Sequence, residues 1–407
     1  MRIAIQAALA AIVISPVLFG APADPASDTN AAPKIEVCFV LDTTGSMAEL
    51  IDGAKQKIWS ITSQMATAKP APQIKLGLIG FRDRGDQYVT KVFDLTDDLD
   101  DVYGNLIAFQ AGGGGDVPES VNQALNEAVT KVSWSKDRNT LKVIFLVGDA
   151  PPHMDYPDDV KYTDTVQLAA KSDIIINTIQ AGVIAQTGPI WQEIASKADG
   201  QYVKIEQTGG MKAITTPVDA ELSRLSVELS KTVVPWGDAL RQRAVMSKMA
   251  VAADGARGGA TGTAAASSAT AADRVLFMNL ETGAAGTKTV ITGDGELIKD
   301  LASNKVKLED IKDSDLPPNM QQMTMDERRK YVADLTARRT ELQTQVDALA
   351  KQRAQYLKVE MSKLPDRNTR DSFDARVGDL IRTEGLKKGI QYEAPTPLAP
   401  APVNNSR

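Results

Sequence analysis

The 407-residue chain has one cysteine, one histidine and only 5% aromatic residues. A lone thiol, Cys38, closes no internal disulfide, and its place inside an apolar run makes it a small core residue. With His153 as the sole imidazole, Ser-His, Cys-His and zinc sites have almost no material. Basic charge is not in excess either. Lys and Arg number 46 against 52 Asp and Glu, a net charge of −6, so no electrostatic attraction to nucleic acid or an anionic membrane is expected. The scarcity of aromatics also argues against base stacking. Beyond the first 23 residues no apolar run reaches the ~20 residues of a membrane span, so no stable insertion is expected there.

What is present begins with a segment that reads as a secretory signal, residues 1–23. Arg2 supplies the positive end, Ile3 to Phe19 the apolar stretch, and Ala21-Pro22-Ala23 a small-x-small cleavage pattern. No cysteine follows to accept a lipid. The expected location is therefore periplasmic or secreted. Hydrophobic residues make up 43% of the chain, enough for a sizeable core and two to three domains.

From residue 34 to residue 233 apolar strands alternate with helical patterns, which predicts an α/β fold with a doubly wound, mostly parallel sheet. Strands are expected at 35–41, 74–81, 88–93, 141–147, 174–180 and 201–205, and helices at 47–64, 99–109, 118–132, 165–170, 189–198 and 213–233. The short polar loop between the second and third strands predicts an antiparallel edge hairpin. Residues 234–272 read as a linker, low in complexity over 252–272 (AADGARGGATGTAAASSATAA). A small β-rich module is expected at 273–320, a helical, coiled-coil region at 325–392, and a Pro-rich disordered tail at 393–407.

In the helical region Val332, Leu335, Leu342, Val346, Leu349 and Tyr356 follow a seven-residue repeat, interrupted by Arg339 and Arg353. Self-association through this seam would bury those charges, which is costly unless they are paired. A hairpin with the amphipathic segment Phe373 to Ile381 is the favoured arrangement, since Asp374 and Asp379 could then meet the arginines.

The chemistry concentrates where strands end. KIEVCFVLDTTGSM runs apolar to Asp42 and then turns through Thr44, Gly45 and Ser46. Oxygen donors at alternate positions of one turn can converge on a hard cation, and Gly45 gives the wrap its backbone freedom. LKVIFLVGDAPPH ends in the same way at Asp149. Between them FQAGGGGDVPESV sets Asp116 and Glu119 around Pro118, where acids also suit a helix start. The Gly run lacks the Lys-Ser/Thr of a P-loop. Asp83 is a second-strand-end acid, and His153 reads as a rim residue because magnesium prefers oxygen. Arg84-Gly85-Asp86 is what a short polar loop selects, and carries no further expectation.

Taken together, these three loops over residues 34–233 resemble the von Willebrand factor type A domain with its metal-ion-dependent adhesion site. The resemblance implies a doubly wound sheet with Asp42, Thr44, Ser46 and Asp149 around Mg2+ or Mn2+. The middle ligand in many members is a Thr, which this loop lacks, and Asp116 lies nearest to its position. The D-x-P-E pattern is similar to integrin β-subunit domains. That likeness makes Glu119 a ligand, and Asp116 either a ligand or part of a second, Ca2+ site. The implied function is non-enzymatic: an acidic group on a protein partner completes the ion's shell, in adhesion or envelope assembly. Two alternatives are a metal-dependent hydrolase with Asp42 as nucleophile, and a coiled-coil scaffold to which this domain is secondary. Haloacid-dehalogenase-type enzymes carry a second Asp where this chain has Thr44.

Overall fold

The computed structural model describes residues 32–211, 214–257, 264–280, 288–363 and 371–392; the expected signal segment and Pro-rich tail lie outside them. The first strand shows how the sheet is built. β1 (Lys34–Asp42) alternates its side chains, so Ile35, Val37, Phe39 and Leu41 enter one core while Cys38 and Val40 enter the other. Both faces are covered, hence the continuous apolar run. Burial raises the Cys38 pKa and keeps the thiol protonated.

Five more strands complete the sheet: β2 (Gln73–Phe81), β3 (Thr90–Thr96), β4 (Leu141–Gly148), β5 (Ile175–Ala181) and β6 (Tyr202–Ile205). Their order is β3-β2-β1-β4-β5-β6. Only β2 and β3 pair antiparallel, at the edge; the other neighbours run parallel. The winding direction reverses between β1 and β4, the crevice where open α/β sheets bind ligands.

On one face lie α1 (Ala48–Ala66) and α2 (Leu99–Ala108); on the other lie α3 (Val121–Thr130), α4 (Tyr162–Lys171) and α5 (Thr187–Lys197). The next helix, α6 (Asp219–Ser230), starts later than its apolar pattern suggests. Asp219 accepts hydrogen bonds from the Thr216 backbone N–H (2.7 Å) and hydroxyl (2.8 Å), closing a turn around Pro217 before the helix begins.

Beyond residue 234 the structure departs from expectation. The described part of the low-complexity stretch is helical: residues 252–257 belong to α7 (Ala239–Arg257) and 264–272 to α8 (Ala264–Asn279). Ala is the best helix former, and its small side chain allows close packing. Ala269, Ala271 and Ala272 are buried, and α8 packs on α1 and α6. Arg274 fastens α8 to the sheet domain through a buried pair with Asp100 of α2 (Nη2–Oδ1 2.8 Å). Residues 273–320 hold no strand among the described residues. They contain the end of α8, the short helices α9 (Leu297–Ala302) and α10 (Pro318–Gln321), and an isolated bridge from Glu296 to Pro235. The strand-like pieces RVLFMN and KTVITG contribute core side chains instead: Val275, Phe277, Met278, Val290 and Ile291 are all buried.

The long helix α11 (Met325–Ser362) starts at a capping box in which Thr324 and Glu327 bond each other's backbone N–H. It does not form the expected hairpin. Leu342 and Val346 pack into the cluster of α6, α7 and α8, while Val332 and Leu335 pack against the cluster built from residues 297–320. As far as Leu349 the seven-residue repeat thus marks the helix face turned towards its own chain, whereas Tyr356 is exposed. The final helix, α12 (Phe373–Lys387), lies on α1 and the sheet, with Phe373 beside Phe39 (centroids 6.4 Å apart).

The two interrupting arginines find partners other than Asp374 and Asp379. Arg339 makes a two-pronged contact with Glu296 (2.9 and 3.0 Å) and donates to the Thr232 hydroxyl and carbonyl. Arg353 bridges Asp219 and Asp273 at 2.7 Å each. Asp374 instead faces Lys57, and Asp379 faces Arg382.

Candidate metal centre

Thr43 locks the end of β1 to β2, its backbone N–H and hydroxyl both donating to the Phe81 carbonyl at 2.8 Å. The chain then turns so that the Thr44 N–H (2.9 Å) and hydroxyl (2.6 Å) both donate to Asp42 Oδ1. Ser46 Oγ lies 3.3 Å from Thr44 Oγ1, at the exposed lip. The other carboxylate oxygen, Asp42 Oδ2, is buried and has no hydrogen-bond partner.

The Gly-rich loop is tied to this turn by the backbone bonds Gly45 N–H to Gly113 O and Gly112 N–H to Thr43 O. Gly113 and Gly114 have φ of +77° and +81°, which favours glycine. A Cβ on Gly114 would also crowd Glu119 Oε1 (3.3 Å) and Thr44 Cβ (3.4 Å), so Glu119 and Thr44 flank the same glycine. Glu119 is held by its backbone, N–H to the Pro151 carbonyl and C=O to the His153 N–H. Its Oε2 is also buried without a partner.

Asp149 follows β4 directly, and because β4 lies beside β1 its charge acts on Asp42. Gln207 donates to its Oδ2 (2.9 Å) and to the Ser46 carbonyl (3.2 Å), joining the third loop to the first. No local pattern marked Gln207 in the sequence. Arg82, which donates to the Thr43 and Gln110 carbonyls, and Asp86, which accepts from the Gly114 N–H, brace the loops in the same unmarked way. Arg84 pairs with Asp158 and Asp159 and lies over Tyr156, so the charged members of Arg84-Gly85-Asp86 are engaged within the chain.

The electrostatics reflect crowded carboxylates. Glu119 is pushed up to about 9, first by burial and then by the charges of Asp42, Asp83, Asp86 and Asp149. Asp42 is raised by burial and by Asp149, against the lowering effect of the Thr44 hydroxyl. Two buried carboxylate oxygens without donors are costly unless a proton or cation meets them. The all-oxygen set of Asp42, Thr44, Ser46, Glu119 and Asp149 suits a hard divalent ion. Asp116 is placed elsewhere. Its side chain is 62% exposed and lies 3.8 Å from His153 Nε2, in a group with Asp83.

Residues 36–217 match the family profile described as von Willebrand factor A domain, and this stretch forms such a domain. Von Willebrand factor A domain-containing protein 7 of Rattus norvegicus is 36% identical over 120 residues, 30% of this chain and 12% of that protein. A putative ariadne-like RING finger protein of Acanthamoeba polyphaga mimivirus is 27% identical over 119 residues, 29% of this chain and 11% of that one. The chain therefore spans about an eighth or less of these relatives. Among solved structures, proximal thread matrix protein 1 from the mussel byssus aligns with TM-score 0.35 and 17% identity over 44% of each chain. The SpRpn10 VWA domain aligns with TM-score 0.33 and 14% identity over 43% of this chain and 89% of its own.

Proposed function

We propose that this chain, whose residues 36–217 form a von Willebrand factor A domain, is an exported binding protein without catalytic activity of its own. It holds Mg2+ or Mn2+ through Asp42, Thr44, Ser46, Glu119 and Asp149 and binds an acidic group of a protein partner. The observation that carries this reading is the pair of buried, partnerless oxygens, Asp42 Oδ2 and Glu119 Oε2, on loops that meet at Gly114. Thr44 and Ser46 offer dipoles without charge, and Gln207 already occupies one Asp149 oxygen. A carboxylate from another chain can then fill an open position on the ion. Glu119 takes the middle place that the loop's missing Thr leaves empty.

Titration calorimetry on the purified chain tests this. Magnesium or manganese should bind at one site that Asp42→Ala abolishes while circular dichroism stays unchanged. Retention of a partner from envelope extract should disappear with a chelator. Equal metal affinity in Asp42→Ala and the parent chain would refute the assignment.

A further inference from the structure

Beside the proposed magnesium site lies a second group, Asp83, Asp116 and His153. One ligand atom from each comes within 4.8 Å of the others. We infer that these three side chains form a separate site for a divalent transition ion of the zinc class. The inference does not rest on the magnesium reading, since it uses none of those side chains.

The geometry around His153 carries it. The ring is 5% exposed, and its Nδ1 lies 2.7 Å from Asp155 Oδ1. With Nδ1–H donating to that carboxylate, Nε2 is the ring nitrogen free to offer its lone pair to a metal. That Nε2 is buried, has no hydrogen-bond partner, and lies 3.2 Å from Asp83 Oδ2 and 3.8 Å from Asp116 Oδ2. Carboxylates this close to a ring nitrogen are met either by a proton on that nitrogen or by a metal ion between them, and the lack of a hydrogen bond at Nε2 favours the ion. Ligands at ~2.0–2.1 Å from a tetrahedral zinc lie roughly 3.3–3.4 Å apart, close to these distances.

The surroundings act as supports. Asp83 accepts from the Ser120 hydroxyl (2.8 Å) and the Tyr156 hydroxyl (2.9 Å), which fix its carboxylate. Tyr156 also stacks on the His153 ring (4.1 Å between centroids) and fixes its plane. The Asp155–His153 contact is the carboxylate–histidine support that metal-bound imidazoles commonly have. Imidazole nitrogen favours zinc, nickel or copper over magnesium and calcium, so the two neighbouring sites differ in preference. Three protein ligands leave a fourth position open to water or to a donor from another molecule.

The test is equilibrium dialysis of the tag-free full chain against Zn2+ in excess Mg2+, with Co2+ absorption as a second readout. One zinc per chain should bind, and Asp42→Ala should keep it. His153→Gln and Asp116→Asn should each lower zinc affinity at least tenfold. Asp155→Asn, an exposed support, should lower it by about tenfold or more. Bound Co2+ should show the intense visible bands of a tetrahedral ion, lost in His153→Gln. Asp116 and Asp155 are exposed, so their variants remain informative if His153→Gln fails to fold. Zinc binding unchanged in Asp116→Asn and Asp155→Asn, no binding in the parent chain, or loss only in Asp42→Ala would each overturn the site.

Discussion

Replacing Glu119 by Gln should move stability and metal binding in opposite directions. The acid is 4% exposed, and burial with neighbouring carboxylates pushes it up to about 9 from an ordinary 4.5. Because the folded-state value lies above the unfolded one, this group favours the metal-free fold most below pH 4.5 and loses that advantage as pH rises towards 9. Each pH unit above the unfolded value costs about 1.4 kcal/mol, a ceiling of about 4 kcal/mol at about pH 7.5. Water at the loop rim screens part of this, and about 2 kcal/mol is the expected size. Gln resembles the protonated acid and titrates in neither state. In chelator at about pH 7.5, Glu119→Gln should therefore be more stable than the parent by about 2 kcal/mol, the gap closing near pH 4.5. With Mg2+ at about 100 times its dissociation constant, the parent should gain about 2.7 kcal/mol and the variant almost nothing. Urea unfolding at both pH values, with and without Mg2+, reads all of these. A variant less stable than the parent in chelator, or one gaining as much from Mg2+, would refute the reasoning.

Glu119→Ala should weaken magnesium binding more than Asp116→Ala in calorimetry, because Glu119 flanks Thr44 while Asp116 lies with Asp83 and His153. Glu296→Ala should cost about 3–5 kcal/mol in urea unfolding, since it leaves the Arg339 guanidinium buried without its partner. It also removes the acceptor for the Ile298 and Lys299 N–H groups at the start of α9, so a loss below about 1 kcal/mol would contradict that accounting. Phe373→Ala should cost about 3–5 kcal/mol if α12 is part of the sheet's core, and a near-neutral result would detach it.

The parallel sheet was legible because its evidence is local. A strand covered on both faces must be apolar throughout, and β1, β4 and β5 are buried along nearly their whole length. Acids placed directly after such strands, Asp42 and Asp149, stand out for the same reason. Composition misled at residues 252–272, where few bulky side chains suggested a linker but Ala favours helix and close packing. The seven-residue repeat of α11 identified a buried face without identifying what buries it. Arg339 interrupts that face because its partner, Glu296, lies 43 residues away in the chain.

The sequence by itself determined the alternation of strands and helices, the ends of the strands and the acids that follow them. These depend on periodicity and burial within a few residues. The tertiary structure alone decided that Glu119 and Thr44 flank Gly114, and that Asp116 lies with Asp83 and His153 instead. It also decided which carboxylates answer the buried arginines of α11. Such pairings depend on how loops far apart in sequence are brought together by β1 and β4 lying side by side, and on where α11 packs against the rest of the chain. No short stretch of residues carries a signal of that.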